Sequence, residues 1–145
     1  MKTNMATHDE EAIAHLIETY REGFLALDPA RLCSIWDNQH DPLIYVAQEK
    51  HEPIYGWPAI ERYLAQLPEH LESISVMELD SLSIDPLGDA AAVYFRFRAK
   101  GKLKGREGSH EPVGRVTMIA KRTPNGWRTI HYHESALAAH ALQKS

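Results

Sequence analysis

Asn125-Gly126 is a hairpin turn signal, and the nine residues after it, Trp127 to Ser135, are rich in β-favouring Trp, Thr, Ile and Tyr. Side chains alternate across a strand. Strict alternation puts Trp127, Thr129, His131 and His133 on one face, and Arg128, Ile130, Tyr132 and Glu134 on the other. Both faces mix apolar bulk with titratable groups. A strand over a wholly apolar core would avoid that mixture, because every buried polar group needs a hydrogen-bond partner. This strand is expected to meet a polar pocket or a partner subunit.

Helical patterns come first in the chain. Thr7 and Glu10 have capping-box spacing, and Ile13, Leu16, Ile17, Tyr20, Phe24 and Leu27 recur at steps of three and four, which is one apolar stripe on a helix of about five turns. Asp28-Pro29 stops that helix and caps a short second one, with Leu32, Ile35 and Trp36 on its buried side. Leu43 to Ala47 and Pro53 to Tyr55 read as two short strands. Gly56-Trp57-Pro58 opens a third helix carrying Ile60, Leu64 and Leu67. From Glu72 onward the pattern is strand after strand, with turns at Asp85 to Asp89 and at Thr123 to Gly126 and a bulge near Glu78 to Ser81. Alternation groups Val93, Phe95 and Phe97 against Tyr94, Arg96 and Arg98. The tail from Ala136 to Ser145 reads as a short helix or a frayed end. Helices followed by antiparallel strands make an α+β protein, whose bent sheet can wrap the first and third helices and leave a concave site at its open end.

A chain of 145 residues is expected to form a single domain, residues 1–145. The net charge of −4 argues against a nucleic-acid partner. Six cations do gather between Arg96 and Arg106, a spacing that suits a solvated strand end. Cys33 is the only cysteine, so no internal disulfide and no thiolate cluster can form. With no apolar run long enough for a signal peptide or a span, the expectation is a cytoplasmic protein that does not enter a membrane.

The order of elements resembles the nuclear-transport-factor-two-like fold (also called cystatin-like), shared with ketosteroid isomerases and SnoaL-like polyketide cyclases. Within it the chain is most similar to the association domain of calcium/calmodulin-dependent protein kinase type II and its stand-alone bacterial relatives. Gly56, Gly88-Asp89-Ala90-Ala91, Tyr94-Phe95-Arg96, Asn125-Gly126-Trp127 and Ile130-His131-Tyr132-His133-Glu134-Ser135 carry the likeness, which runs from about Glu10 to Leu137. The resemblance implies a cone-shaped, curved, mostly antiparallel mixed sheet wrapped around N-terminal helices. In the association domain three arginines on adjacent strands line a pocket for small carboxylates. Carried over, these positions fall on Arg96, Thr117 and Glu134, so one arginine remains beside a carboxylate, and a polar or zwitterionic ligand fits better than a free acid.

The expected ligand site therefore joins Arg96, Thr117 and Glu134 with an aromatic wall from Tyr20, Trp36, Tyr45, Tyr55 and Tyr94. Its ligand is a small polar organic molecule, with no cofactor. Arg96 and Glu134 can also simply pair with each other. His131 and His133, two apart, can reach one metal together with His110 or Glu111, but related domains hold this pattern without a metal, and none is expected. Phe95 and Phe97, opposite Arg96, are expected on the outer sheet face, where an apolar strip implies self-association as a homodimer or larger assembly. The enzymatic alternative is an isomerase, cyclase or hydrolase of the ketosteroid-isomerase type with Glu134 or a histidine as base. A further alternative is an oligomerisation module without catalysis.

Overall fold

The structure, a computed structural model, describes residues 4–137, with side chains from residue 7 onward. Helix α1 (Asn4–Leu25) is followed by α2 (Pro29–Cys33), β1 (Ile44–Val46), β2 (Ile54–Tyr55), α3 (Trp57–Ala65) and α4 (Leu67–His70). Four long strands complete the order: β3 (Leu71–Leu87), β4 (Ala90–Leu103), β5 (Val113–Thr123) and β6 (Gly126–Ala136). They form one curved six-stranded sheet in the order β2-β1-β6-β5-β4-β3, antiparallel except where β1 runs parallel to β6. This is the α+β arrangement expected from the element order. Helix α1 starts at Asn4, so Thr7 lies inside it, not at its cap. Asp28 does cap α2, its carboxylate accepting from the Arg31 backbone N–H at 3.2 Å with Pro29 in the first turn. The tail from residue 138 lies outside the described residues.

The inner face of the sheet carries the apolar residues. Along β4 they are Ala91, Val93, Phe95, Phe97 and Ala99; along β5, Gly114, Val116, Met118 and Ala120; all are buried. The stripe of α1 (Ile13, Leu16, Ile17 and Tyr20) packs onto them, with the Tyr20 and Phe95 rings edge to face at 5.3 Å. Phe95 and Phe97 thus face inward, contrary to the expectation from sequence, and Tyr94, Arg96 and Arg98 face outward. The reason is the cost of the alternative. Two guanidinium groups turned inward would lose their hydration among apolar side chains, where Glu134 is one carboxylate for two cations. On the outer face, Asp80 and Glu78 of β3 pair with Arg96 and Arg98, each at 2.8 Å.

Of the four register shifts in the sheet, two bear on the expectations from sequence. The β3–β4 register shifts between Asp80 and Ser83, where Ser81 adopts φ 60, at the position the broken alternation predicts. The β5–β6 register shifts between Ile119 and Ala120, which pair with His131 and Thr129, so Ile130 is left without an opposite residue. That extra residue reverses the facing of everything after it. Trp127 and Thr129 point inward, and so do Tyr132 and Glu134, while His131 and His133 point outward.

One end of the layer is fastened by Arg122 of β5. Its guanidinium donates to both carboxylate oxygens of Asp9 on α1, at 2.9 and 2.7 Å, and to Asp89 at 3.2 Å. The same Asp9 accepts from the Trp127 indole at 3.3 Å, and Arg122 stacks over that indole at 4.9 Å. The Arg122 hydrogen bonds hold the Asp9 carboxyl below its ordinary range.

Because Phe95 is fully buried under α1, Phe95→Ala is expected to destabilise the protein by about 3–5 kcal/mol in urea denaturation. A loss of less than about 0.5 kcal/mol would put this ring outside the core.

Candidate functional site

The curved sheet and the helices leave a cavity of about 590 Å³ at the open end of the cone. Its deep wall is aromatic. Tyr45 of β1 stacks on Tyr132 of β6 at 4.4 Å and meets Tyr63 of α3 at 5.0 Å, while Trp36 backs Tyr45 at 5.8 Å. The parallel register of β1 and β6 sets Tyr45 beside Tyr132. Phe24, Leu67, Leu71, Ile74, Met77, Phe97 and Leu103 supply the aliphatic and remaining aromatic wall. An apolar cavity with a few converging polar groups is the usual form of a small-molecule site.

Those polar groups are specific. The Tyr20 and Tyr132 hydroxyls lie 2.8 Å apart, fully buried. Only one of the two can use its proton in that bond, so the other hydroxyl has a proton to offer elsewhere. The Tyr63 hydroxyl donates to Glu49 Oε2 at 2.6 Å, and Lys50 Nζ lies 5.9 Å from the Tyr63 ring centre. Burial raises the Tyr20, Tyr45, Tyr63 and Tyr132 phenols, and the charge that Glu134 carries once it ionises pushes all four further up. At neutral pH they are proton donors, not phenolates.

Glu134 is the exceptional group. Burial pushes its carboxyl up from the ordinary 4.5 to about 8, the charge of Glu49 adds to the rise, and a backbone hydrogen bond from Gln48 opposes it. Around neutral pH it is therefore a carboxylic acid poised to lose its proton. With undissociated phenols nearby, the cavity can hold a ligand oxygen by hydrogen bonds and exchange one proton with the ligand.

Of the residues expected from sequence, the structure brings Tyr20, Tyr45 and Glu134 to this cavity. Trp36 is buried behind the wall, and Tyr55 is 62% exposed on β2. Tyr94, Arg96 and Thr117 all lie on the outer face, where Arg96 donates to Asp80. The expected meeting of Arg96 and Glu134 is corrected accordingly: they occupy opposite faces of the sheet. The apolar outer strip of Phe95 and Phe97 is likewise absent. What the outer face exposes instead is Val113 and Ile119 among cations and histidines. Among the described residues, no group of three or more His, Cys, Asp or Glu side chains could hold a metal, and no helix is long and apolar enough to cross a membrane.

Sequence reasoning missed Tyr63, Tyr132 and Glu49. Tyr63 falls three residues after Ile60 and so shares its helix face, a signal that was present. Alternation sets Tyr132 on the face of Glu134 but assigns it no role. Glu49 sits in a polar turn with no periodicity, and nothing in the sequence marks it.

A family model described as a SnoaL-like domain matches residues 10–139. Compared with curated protein sequences, the chain matches none. Among solved structures, it is similar to a protein from Streptomyces avermitilis provisionally named a dehydratase of the NTF2-like family, with a TM-score of 0.80 and 20% identity over 92% of this chain and 99% of that one. A protein from Novosphingobium aromaticivorans provisionally named a scytalone dehydratase gives a TM-score of 0.83 and 12% identity over 97% of this chain and 93% of that one. A protein from Thiobacillus denitrificans, provisionally named a calcium/calmodulin-dependent protein kinase type II association domain, gives 0.68 and 13% over 85% and 93%. At these identities the likeness is one of fold.

The raised Glu134 carboxyl makes stability depend on pH in a defined direction. The folded protein holds this proton more tightly than the unfolded chain, so the contribution is complete below about pH 4.5 and is lost as pH rises through about 8. Between pH 5 and pH 8 the wild type should lose on the order of 2–4 kcal/mol more in urea denaturation than Glu134→Gln. Equal slopes for the two would remove the argument for a buried, protonated Glu134.

Proposed function

The chain belongs to the SnoaL-like family, and we propose that it binds a small ring-shaped organic molecule in the cone and transfers a proton on it with Glu134 as the acid–base group. The observation that carries this reading is the Glu134 carboxyl, raised to about 8 on the wall of an apolar cavity. A carboxyl needed only as a fixed ion-pair partner would be held down by a cation, whereas this one is held up by burial and by Glu49. The aromatic wall of Tyr45, Tyr63 and Tyr132 suits a planar or alicyclic skeleton.

Within this reading the Tyr20–Tyr132 pair positions the ligand by donating to a carbonyl or hydroxyl oxygen. Deprotonated Glu134 takes a proton from the carbon beside that carbonyl, and the tyrosine hydroxyl stabilises the enolate oxygen that results. If the next carbon bears a hydroxyl, the carbon–hydrogen electron pair becomes a double bond as the carbon–oxygen bond breaks. The proton held by Glu134 then passes to the leaving hydroxide, and water departs. Two neighbours of the same fold named as dehydratases make this elimination the first reaction to test. Enolisation without loss of water uses the same residues.

A thermal-shift panel of phenols, cyclic ketones and β-hydroxyketones is expected to contain a compound that raises the melting temperature. In deuterium oxide, that compound should exchange the hydrogen beside its carbonyl, at a rate that rises with pH towards about 8. Glu134→Gln should retain the thermal shift while the exchange slows about 10²–10⁴-fold. Unchanged exchange in Glu134→Gln would assign the proton transfer to another group and overturn the reading.

A further inference from the structure

The outer face of the sheet carries a second depression, and we propose that it is a binding site for a phosphate-type oxyanion. It is a groove of about 440 Å³ lined by Tyr94, Arg115, Thr117, His131, His133 and Ser135. No carboxylate lines it, and every one of the six side chains offers a hydrogen-bond donor. The β-ladder explains how they converge. Tyr94, Thr117 and His133 face one another across β4, β5 and β6 in a single row; Arg115 and Ser135 form the next row on one side, and Ile119 and His131 the row on the other. The extra residue at Ile130 is what turns both histidines to this face.

Charge balance gives the argument its weight. Arg96 lies directly opposite Arg115 in the β4–β5 register, an arrangement that like charges make unfavourable. Asp80 offsets Arg96 at 2.8 Å, and Glu78 offsets Arg98 at 2.8 Å. Among the described residues, Arg115 has no carboxylate partner, and its Nη2 donates only to the Ala136 backbone carbonyl at 3.2 Å. Its guanidinium therefore keeps donors and a full charge turned to a groove of hydroxyls and imidazoles. Burial and the neighbouring His133 both hold the His131 imidazole below its ordinary range, and an anion between the rings would reverse the second effect. A phosphate group, with several acceptor oxygens and a negative charge, matches a guanidinium fork flanked by hydroxyl and imidazole donors. The groove exceeds one phosphate in size, which leaves room for an organic phosphate ester.

The test is a proton–nitrogen NMR titration of the full chain with inorganic phosphate, against sodium chloride at matched ionic strength, with sedimentation velocity on the same samples. Saturable shifts are expected at the Thr117, His133 and Ser135 amides with phosphate and not with chloride. Arg115→Gln should weaken that binding about tenfold or more, while Arg98→Gln, outside the groove and paired with Glu78, should leave it unchanged. Shifts that chloride reproduces, or that persist equally in Arg115→Gln, overturn the proposal. So does a dimer, seen by sedimentation, that covers this face and excludes phosphate.

Discussion

Ile130 has no opposite residue on β5, and that one unpaired position decides which side chains of β6 reach the cavity. Upstream of it, Trp127 and Thr129 point inward, and Thr129 ties β6 to the segment after α2 through backbone bonds to Ile35 and Asp37 at 2.7 and 3.0 Å. Downstream, the inward parity passes to Tyr132 and Glu134. Without the bulge, two histidines would face α1, and the carboxylate would be in water. The buried phenol pair, the perturbed carboxyl and the donor-lined outer groove all depend on the same local irregularity.

The second constraint is the separation of charge from apolar bulk along β4. Its alternation of phenylalanine and arginine has one low-energy facing: rings towards α1, guanidiniums towards water and the carboxylates of β3. With the cations outside, burial and Glu49 act on Glu134 without a compensating arginine. An interior Arg96 would have lowered that carboxyl, and the cavity would hold an ion pair in place of a group able to exchange a proton near neutral pH.

Much of the fold was legible. The helical stripe from Ile13, the Asp28-Pro29 cap, the two short strands, the irregularity near Ser81 and the Asn125-Gly126 turn each follow from local chemistry, and each is found. The pairing of residues into faces was legible too: Val93, Phe95 and Phe97 do share a side. Which side faces the core is not, because alternation alone allows either facing, and the resemblance put Arg96 in the pocket and so both phenylalanines outside. In β6 a bulge cannot be read from alternation that looks regular in either parity, since both faces contain aromatic and titratable groups. Of the site, Tyr20, Tyr45 and Glu134 were legible. Glu49 was not, since its place depends on a turn returning to the mouth of the cavity.

The chemistry of the cavity rests on one protonation state. Carbon-13 NMR of protein labelled at the glutamate side-chain carboxyl, with Glu134→Gln to assign the resonance, reads that state directly. A Glu134 midpoint near 8 is the result this structure predicts. A midpoint near the ordinary 4.5 would mean that the carboxylate is solvated and already charged at neutral pH, contradicting the cavity chemistry described above.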